Sequence, residues 1–502
     1  MNVLALYLKH VQGWQLPERE YLKENEESCS MKHYDIVFIH PSSRTSSSQY
    51  ILMPMGMISL MNELDECDVI SVNIGLEMSL DEQFDLESFL KTIEFDMVGI
   101  DLHWHEHAYT ALETAHICKR VNPNCLVVLG GLTASYFAED ILDFSLDVDM
   151  VISGEAEESV VLLVKEKDLS RIPGLVYREQ GHIRKNPVKP PSSLDSFNFS
   201  RITHVHHWEE YLKCNITTHL RARSWCDFWL CTGRGCIYDC SYCGGGTHAH
   251  KKICNRDTIL FRSVERVVED LLYLQEQGVH VVNFSHDVQL AGKSYWKELF
   301  SAMKREGVSL GLYLEAFQLV DREFIGTLAS ACDLRFSTVV VTLLSGSEKT
   351  RNKNGKNFSN HEYYRCAEHL EAQRINHIPY FATGLPFETQ ETFKQTLDMT
   401  ENLLTSQNLQ LLFCTPLRLD PGSPMYERPD QFQVIPHFRS FSDYYDHCRR
   451  RDRGLPFDYS GYHTNYLSAD DILKMQTEWE ARVEKVMSSA AQLPEQGLLH
   501  FL

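Results

Sequence analysis

Cys231-Thr-Gly-Arg-Gly-Cys236-Ile-Tyr-Asp-Cys240-Ser-Tyr-Cys243-Gly-Gly-Gly246 is the stretch that decides the fold. Its last three cysteines, Cys236, Cys240 and Cys243, follow the spacing C-x3-C-x2-C within one short loop. Cysteine thiolates bind iron–sulfur clusters. Three thiolates on a four-iron cubane leave one iron open to a small molecule, and an open coordination position distinguishes a catalytic metal site from a structural one. The flanking glycines let backbone N–H groups approach the cluster, and Tyr242 can cover one side of it.

Two other interpretations of these cysteines remain open from the residues alone. Free cysteine behaves as a small apolar side chain, so the three thiols could simply be buried. A zinc site needs four ligands, and His248 and His250 stand near enough in sequence to complete one.

Composition describes an ordinary globular chain. Its 502 residues are enough for about three domains, and 43% of them are hydrophobic. The 48 basic against 69 acidic residues give a net charge of −21, which argues against nucleic acid as the partner. No apolar run approaches the length of a membrane span, and the first residues do not resemble a secretory signal. The 15 scattered cysteines fit a reducing cytoplasm better than a disulfide framework.

The N-terminal half alternates strands and helices. Strands are expected at 35–39, 68–72, 96–100, 125–129 and 149–152, with helices over 55–64 and 108–120. This alternation predicts an α/β fold with a Rossmann-like, doubly wound parallel sheet. Ligands of such sheets bind beyond the carboxyl ends of the strands, so four loops should line one crevice: 40–56, 101–107, 130–135 and 153–157.

A longer βα period follows the cysteine loop. A hairpin near 172–183 and a proline-rich linker come first, and His204, His206 and His207 in that linker are expected on a solvated face. Beyond them the pattern predicts a partial TIM-type barrel of six βα units, with its active site at the carboxyl ends of the strands. The expected strands are 227–231, 279–285, 308–315, 336–343, 379–383 and 410–415, and the helices between them are 263–277, 294–304, 322–331, 360–374 and 390–404.

Five segments follow from these patterns. They are an N-terminal extension over 1–33, a Rossmann-like domain over 34–165, a hairpin and linker over 166–215, the barrel over 216–425 and a mainly helical tail over 426–502.

The cysteine spacing with Tyr242 resembles the signature of the radical S-adenosylmethionine (SAM) superfamily. A Rossmann-like domain ahead of that signature resembles the cobalamin-dependent branch of the superfamily. The resemblance covers roughly residues 34–425 and implies three cofactors: a [4Fe-4S] cluster on Cys236, Cys240 and Cys243, SAM, and cobalamin.

The resemblance also assigns the strand-end loops. Residues expected beside cobalamin are Pro41, Ser42, Arg44, His103, Gly130, Gly131, Thr133, Gly154 and Glu155. In the cobalamin-dependent mutases and methionine synthases, a D-x-H-x-x-G loop after the first strand supplies a histidine to cobalt. Here Asp101-Leu-His103 lies after the third strand and Glu106 replaces the glycine, so His103 is expected to line the crevice.

For SAM, the resemblance points to loops of the barrel. Phe284-Ser-His-Asp287 stands where relatives often carry G-G-E, and Asp287 would then hold the amine, unless it is a surface carboxylate. Glu315 is expected near the ribose, and the loop Ser345-Gly-Ser-Glu348-Lys-Thr-Arg351 near the carboxylate. Gly384 opens a G-L-P-x-E-T loop, which by itself would be only a turn and a helix cap at Thr389. The full set is Tyr242, Asp287, Glu315, Ser345, Glu348, Arg351 and Gly384.

The activity that the resemblance implies is methyl transfer. Reductive cleavage of SAM would give a 5′-deoxyadenosyl radical, which removes hydrogen from a substrate carbon that then receives the methyl group of methylcobalamin. The alternatives are a cobalamin-dependent cyclisation or rearrangement without methyl transfer, and a non-catalytic iron–sulfur or corrinoid protein. Expected partners are a small-molecule or peptide substrate and a flavodoxin- or ferredoxin-type electron donor, with neither nucleic acid nor membrane.

Overall fold

A computed structural model describes residues 31–42, 51–166, 168–214 and 225–490. Within these residues, no helix combines the length and the apolar character needed to cross a membrane. The described chain forms two α/β units and a tail that packs on both.

A seven-stranded sheet builds the first unit. Five parallel strands appear where the hydrophobic runs predict them, and the expected hairpin adds two antiparallel strands to the sheet edge. The order across the sheet is β2-β1-β3-β4-β5-β6-β7. The strands are β1 (Lys32–His40), β2 (Val69–Asn73), β3 (Ile93–Asp101), β4 (Leu126–Gly130), β5 (Met150–Ile152), β6 (Leu175–Glu179) and β7 (His182–Lys185).

Helices cover both faces of this sheet. Two of these helices begin with an N-cap residue: the side chains of Asn73 and Asp85 accept hydrogen bonds from backbone N–H groups in the first turn. The helices are α1 (Met55–Asn62), α2 (Ile74–Leu80), α3 (Leu86–Leu90), α4 (Ala108–Val121), α5 (Leu132–Tyr136), α6 (Ala138–Phe144) and α7 (Glu157–Lys165). Single 3-10 turns cover His105–His107 and Leu169–Arg171.

The strand order creates a switch point between β1 and β3. From β1 the chain moves outward to β2, and it then returns to the other side of β1 to form β3. The connections leave the sheet in opposite directions there, which opens a crevice at the carboxyl ends of these two strands. The carboxyl ends hold His40 and Asp101.

Six parallel strands in sequential order form the second unit, an open half-barrel. The strands are β8 (Asp227–Leu230), β11 (Val281–Phe284), β12 (Gly311–Ala316), β13 (Thr338–Leu344), β14 (Asn376–Thr383) and β15 (Phe413–Pro416), with a small antiparallel pair, β9 (Gly233–Arg234) and β10 (Leu260–Phe261), beside the first. The helices are α8 (Trp208–Leu212), α9 (Thr247–Cys254), α10 (Val264–Glu276), α11 (Lys293–Glu306), α12 (Arg322–Ala329), α13 (Glu348–Lys353), α14 (Asn360–Ala372) and α15 (Gln390–Leu403), with a 3-10 turn at Val288–Ala291.

The tail joins the two units. Arg418, just ahead of it, donates to Glu106 of the first unit at 2.8 Å, and the Trp479 indole donates to Thr400 of the barrel at 2.9 Å. Its core residue Tyr462 donates to the carbonyl of Gly384 at 2.6 Å. The elements are α16 (Pro424–Glu427), α17 (Pro429–Phe432), β16 (Val434–Pro436), α18 (Phe441–Asp452), β17 (Tyr462–Thr464) and α19 (Ala469–Ala490). The tail is therefore mainly helical, as expected, with one antiparallel strand pair.

Candidate active site

The three cysteines lie together in the loop that follows β8, at the carboxyl end of the barrel. Backbone N–H groups approach two of the sulfurs: that of Tyr238 donates to Cys236 and that of Gly245 donates to Cys243, both at 3.4 Å. The Tyr242 hydroxyl donates to the sulfur of Cys240. Burial raises the pKa of the Cys243 thiol to about 12. The free thiols are therefore protonated near neutrality, and binding a positively charged iron centre would deprotonate them.

The spacing of the sulfurs favours a cluster over a single ion. Among the described residues, the three sulfurs do not all lie within 4.8 Å of one another, as the ligands of a single ion would. Neither His248 nor His250 forms such a group with them. His250 instead lines a neighbouring cavity. A set of sulfur ligands spread wider than one ion requires is what a cubane needs, so the residues fit a [4Fe-4S] cluster.

Asp420 anchors the end of the cysteine loop. One carboxylate oxygen accepts from the Gly244 N–H at 2.8 Å, and the other lies 3.2 Å from Nδ1 of His105. A Cβ on Gly244 would stand 2.6 Å from the carbonyl oxygen of Pro421, so only glycine fits here. The loop, the turn after β15 and the first unit therefore meet at one carboxylate. No local pattern in the sequence indicated this contact, because Gly244 and Asp420 are 176 residues apart.

A buried cation faces the cysteine loop from the opposite side. Gly355 packs against Cys240, and the next residue, Lys356, donates to the carbonyl oxygen of Phe317 at 2.7 Å. Burial raises the pKa of the Cys240 thiol, and the nearby charge of Lys356 partly opposes this rise. No motif in the sequence distinguished Lys356, because it reaches the site through a loop between β13 and β14.

Two of the residues predicted to bind SAM, Tyr242 and Glu315, lie close to the cysteine loop on the concave side of the half-barrel. Tyr242 packs against Leu344, Ala382 and Leu385 at the strand ends. Glu315 lies on β12, where burial raises the pKa of its carboxyl. Both residues can face a ligand bound to the open iron.

Asp287 is buried, and its carboxylate already has several partners within the chain. It accepts from the backbone N–H groups of Phe317 at 2.9 Å and Gln289 at 3.0 Å, and also from the Gln289 amide. It is therefore not a surface carboxylate. Its hydrogen bonds hold the loop after β11 onto β12.

The loop after β13 is organised internally. Arg351 is fully buried and donates to the carbonyl oxygens of Leu343, Ser345 and Phe358. Burial lowers its pKa to about 10. The Ser345 hydroxyl bonds to Thr396 at 3.1 Å, whereas Glu348 is exposed and accepts from the Asn360 N–H at 2.6 Å. In this arrangement Arg351 supports the loop, and the assignment of these three residues to SAM stays a prediction.

Gly384 follows β14 in a loop closed by Glu388. The Glu388 carboxylate accepts from the N–H groups of Gly384 at 2.8 Å and Leu385 at 3.3 Å. Because this carboxyl is fully buried, its pKa rises to about 8. The side chain of Thr389 caps α15, as the turn-and-cap interpretation expects.

A cavity of about 460 Å³ lies between the two units and is lined by residues of both. The strand-end loops of the first unit line one side of it, and Trp229, Arg234, His250 and His286 line the side towards the barrel. An apolar slot continues between the sheet and its helices, lined by Ile36, Phe38, Met57, Leu60, Val160 and Leu163. The shape suits a large amphipathic ligand with an apolar arm.

Five of the residues predicted beside cobalamin line this cavity: His103, Gly130, Gly131, Gly154 and Glu155. Gly131 adopts a φ of +106°, and a Cβ there would stand 2.6 Å from the His103 nitrogen. Glycine is therefore required for the loops after β4 and β3 to pack this closely, and together these loops form a glycine cradle at the cavity wall. This glycine cradle, with the apolar slot, fits a corrinoid.

The other four cobalamin candidates are placed differently. The Thr133 hydroxyl donates to the His103 carbonyl at 3.0 Å and so supports the loop. Pro41 and Ser42 are buried at the end of β1. Arg44 lies outside the described residues.

Sequence reasoning missed a buried cluster at the switch point. Nδ1 of His40 lies 2.9 Å from the Asp101 carboxylate, and the rings of His40 and His107 are 5.2 Å apart. Asp101 also lines the cavity. A histidine ending a strand was the only available signal, since β1 and β3 are far apart in sequence.

It also missed the ion pairs that join the two units at the cavity wall. Arg234, within the cysteine stretch, donates to Glu157 at 3.1 Å and to Glu155 at 3.4 Å. Glu155 pairs in addition with Arg256, and Glu157 accepts from Ser59 at 2.5 Å. Glu157 is the first residue of α7 and Glu155 lies two residues before it, so the first unit is held directly against the loop that carries the cysteines.

The fold and the site define an α/β iron–sulfur enzyme in which a ligand-binding sheet faces the mouth of a half-barrel. Comparison with known families agrees: residues 43–164 match the B12 binding domain and residues 230–400 match the Radical SAM superfamily. The chain belongs to the cobalamin-dependent radical SAM enzymes, whose cofactors are a [4Fe-4S] cluster, SAM and cobalamin.

Several curated proteins are similar to this chain. An uncharacterized methyltransferase of Pyrococcus horikoshii is 23% identical over 406 residues, which is 79% of this chain and 83% of the relative. The hopanoid C-3 methylase of Methylococcus capsulatus is 25% identical, covering 55% of this chain and 50% of the relative. An anaerobic magnesium-protoporphyrin IX monomethyl ester cyclase of Synechocystis is 22% identical, covering 54% and 52%. The chain thus spans about half the length of the last two.

Among solved structures, the radical SAM methyltransferase TsrM of Kitasatospora setae, with tryptophan and a SAM analog bound, has a TM-score of 0.65 at 17% identity. The match covers 90% of this chain and 88% of TsrM. This likeness confirms the predicted fold, a Rossmann-like domain followed by a partial barrel.

Proposed function

We propose that the protein is a cobalamin-dependent radical SAM methyltransferase that transfers a methyl group to a carbon atom of a small-molecule substrate. The observation that carries this proposal is the cavity shared by the two units. Gly131 and His103 line it from the sheet, and Trp229 and His286 line it from the barrel. A corrin bound in this cavity would lie beside the half-barrel, as transfer to a substrate in the barrel requires. The names of two relatives, a methyltransferase and a methylase, support the same reaction.

When bound, the cluster supplies the electron that cleaves SAM and the cobalamin supplies the methyl group. The chain's own residues bind, orient and shield these groups. Cys236, Cys240 and Cys243 ligate the cluster, and Tyr242 covers one side. Lys356 places a buried positive charge beside Cys240.

For SAM, we propose contacts at the strand ends of the barrel. Glu315 is open to such a contact. The backbone of Gly384 supports one less well, because its N–H already donates to Glu388 and its carbonyl accepts from Tyr462. Asp287, Ser345 and Arg351 hold the loops around it, as their hydrogen bonds support. Glu348 is the candidate that the arrangement supports least, because its side chain is exposed.

The concave face of the half-barrel is where we place the substrate. Trp229 lines the cavity, and its ring centre lies 6.0 Å from that of Tyr313 on β12. Tyr380 and Phe413 form a second pair of rings, 5.7 Å apart, on the far strands. Aromatic walls exclude water from a radical reaction and suit a substrate with an apolar or planar part.

We further propose that a flavodoxin- or ferredoxin-type protein delivers the electron in a reducing cytoplasm. The Ile237 side chain, adjacent to Cys236, is 56% exposed and offers an apolar contact close to the cluster ligands. The cysteines in the described part of the chain are free thiols, which supports a reducing compartment.

Anaerobically reconstituted protein tests the proposal. With reductant, cobalamin, candidate substrates and SAM labelled in its methyl group, the expected products are 5′-deoxyadenosine and a labelled product heavier by one CH2 unit. Cys236→Ala should abolish both. Cys332→Ala is the matched control, because Cys332 lies near the amino end of the barrel and should leave both products unchanged. A loaded wild-type enzyme that forms no 5′-deoxyadenosine with any substrate would contradict the radical mechanism.

A second candidate function is a cobalamin-dependent cyclisation or rearrangement, which similarity to the cyclase of Synechocystis favours. The same experiment distinguishes the two functions. Formation of 5′-deoxyadenosine with a substrate-derived product that has gained no label would identify a cyclase or rearrangement enzyme instead.

A further inference from the structure

The linker ahead of the barrel is attached to the edge of the first sheet. The Ser71 N–H donates to the His204 carbonyl, and the His206 N–H donates to the Ser71 carbonyl, both at 2.8 Å. Val205 thereby pairs with β2 as a single parallel bridge. This attachment brings the two following histidine side chains onto α2, which begins directly after β2.

Both histidines point the same nitrogen at one buried carboxylate. Nδ1 of His206 lies 2.8 Å from Glu77 Oε1, and Nδ1 of His207 lies 3.1 Å from both Glu77 oxygens. One ligand atom from each residue lies within 4.8 Å of the other two. Glu77 and the histidines are about 130 residues apart in sequence, so the convergence is produced by the fold.

A simple ion pair explains this arrangement poorly. One imidazolium is enough to neutralise a buried carboxylate, yet two rings converge here with their centres 3.9 Å apart. A metal ion bound among the three donor atoms explains why both rings turn the same nitrogen towards one carboxylate, and neutral imidazole is the form that binds metals.

The three side chains are buried to different degrees, and the group they form is open to solvent on the side of the histidines. The Glu77 side chain is 5% exposed, whereas those of His206 and His207 are 32% and 45% exposed. Water can therefore complete the coordination. Two nitrogens and one carboxylate oxygen with an open fourth position are a common zinc set.

We propose that Glu77, His206 and His207 form a zinc site that fastens the linker to the first unit. The site is separate from the three cysteines. Directly after His207 the chain forms α8, whose Tyr211 hydroxyl accepts from the Met53 N–H at 3.3 Å. Met53 lines the cavity between the units. The metal thus stabilises a segment that supports the cavity wall.

Equilibrium dialysis of the holoprotein against Zn²⁺ tests this proposal, with the [4Fe-4S] cluster already loaded so that the cysteines do not take up zinc. Zinc, iron and corrinoid are quantified together. We expect about one zinc per chain in the wild type and a higher Tm with Zn²⁺ than after chelation. His206→Asn with His207→Asn, and separately Glu77→Gln, should lose this zinc while iron content stays unchanged, which shows that the variants are folded.

His33→Asn is the matched control, since His33 belongs to a largely exposed His–Asp–Asp group of similar geometry at the amino end of β1. It should retain the zinc. Changes to residues outside the ligand shell typically weaken metal binding by about 10- to 100-fold. Removal of one imidazole ligand should weaken zinc binding by more than that. The proposal is wrong if the wild type takes up no zinc, or if the Glu77 and histidine variants bind as much zinc as the wild type.

Discussion

Nδ1 of His40 lies 2.9 Å from the carboxylate of Asp101, across the point where β1 and β3 diverge. The two residues end neighbouring parallel strands and are both buried. Their contact closes the floor of the crevice that opens at the switch point. An exposed pair, His116 and Asp147, has the same separation of 2.9 Å and provides a comparison.

Asp101→Ala should lower the free energy of unfolding by about 1–3 kcal/mol, because it leaves a buried imidazole N–H without this acceptor. We also expect less corrinoid to be retained after gel filtration. Chemical denaturation and corrinoid absorbance measure the two effects. Asp147→Ala should change stability by less than about 1 kcal/mol, since exposed pairs contribute little. Equal effects of the two substitutions would show that burial of the His40 contact is unimportant.

Gly131→Ala should reduce cobalamin binding and stability together. Its φ of +106° strains any side chain, and the added Cβ would stand 2.6 Å from the His103 nitrogen. Gly292→Ala separates the two causes, because Gly292 has a φ of +95° and open space around its Cβ position. The control should lose only the about 1–3 kcal/mol of backbone strain that a side chain has at this φ and ψ and keep its corrinoid. Full corrinoid occupancy in Gly131→Ala would contradict the glycine cradle.

Gly244→Ala should impair the iron–sulfur site. A Cβ at this position would stand 2.6 Å from the Pro421 carbonyl and 2.7 Å from the Asp420 carboxylate. The loop would have to move, and the Cys243 sulfur would move with it. The neighbouring Gly245→Ala meets nothing nearer than 3.8 Å and is the control. Iron and sulfide per chain after reconstitution should fall only in the first variant; a normal iron content there would count against the anchoring role of Asp420.

Arg234→Met should destabilise the contact between the two units. It leaves the buried carboxylate of Glu157 without its cation, and loss of one partner of a buried pair costs about 3–5 kcal/mol. Arg428→Met breaks an exposed pair with Asp239 and should cost about 0–1 kcal/mol. Thermal unfolding and limited proteolysis between the units are the measurements. Similar Tm values for both variants would be the contrary result.

Stability should fall as the pH is lowered from 7 to 5. Burial lowers the pKa of His377 to about 4, whereas the unfolded histidine titrates near 6.5. Between these values the unfolded chain binds more protons, so the free energy of unfolding decreases with falling pH, by about 2 kcal/mol at pH 5 for such a group. His377→Gln should show a shallower pH dependence in urea unfolding. An unchanged slope would place the pKa of His377 close to that of an exposed histidine.

Local patterns in the sequence determined the order of the elements. The hydrophobic runs at 35–39, 96–100 and 125–129 became parallel strands because their side chains are apolar on both faces, as strands covered by helices require. The spacing of Cys236, Cys240 and Cys243 likewise specified a ligand set, since all three lie in one short loop whose geometry depends little on distant residues.

Only the tertiary structure decided which distant residues share a site. His40 and Asp101, Arg234 and Glu157, and Asp420 and Gly244 are each separated by more than 60 residues, and no local pattern encodes their meeting. The roles of Arg351 and Asp287 were equally invisible, because a charged side chain has the same signature whether it binds a ligand or the chain's own backbone. The reason is physical: strand formation depends on near neighbours, whereas a buried charge depends on whichever partners the packed fold places around it.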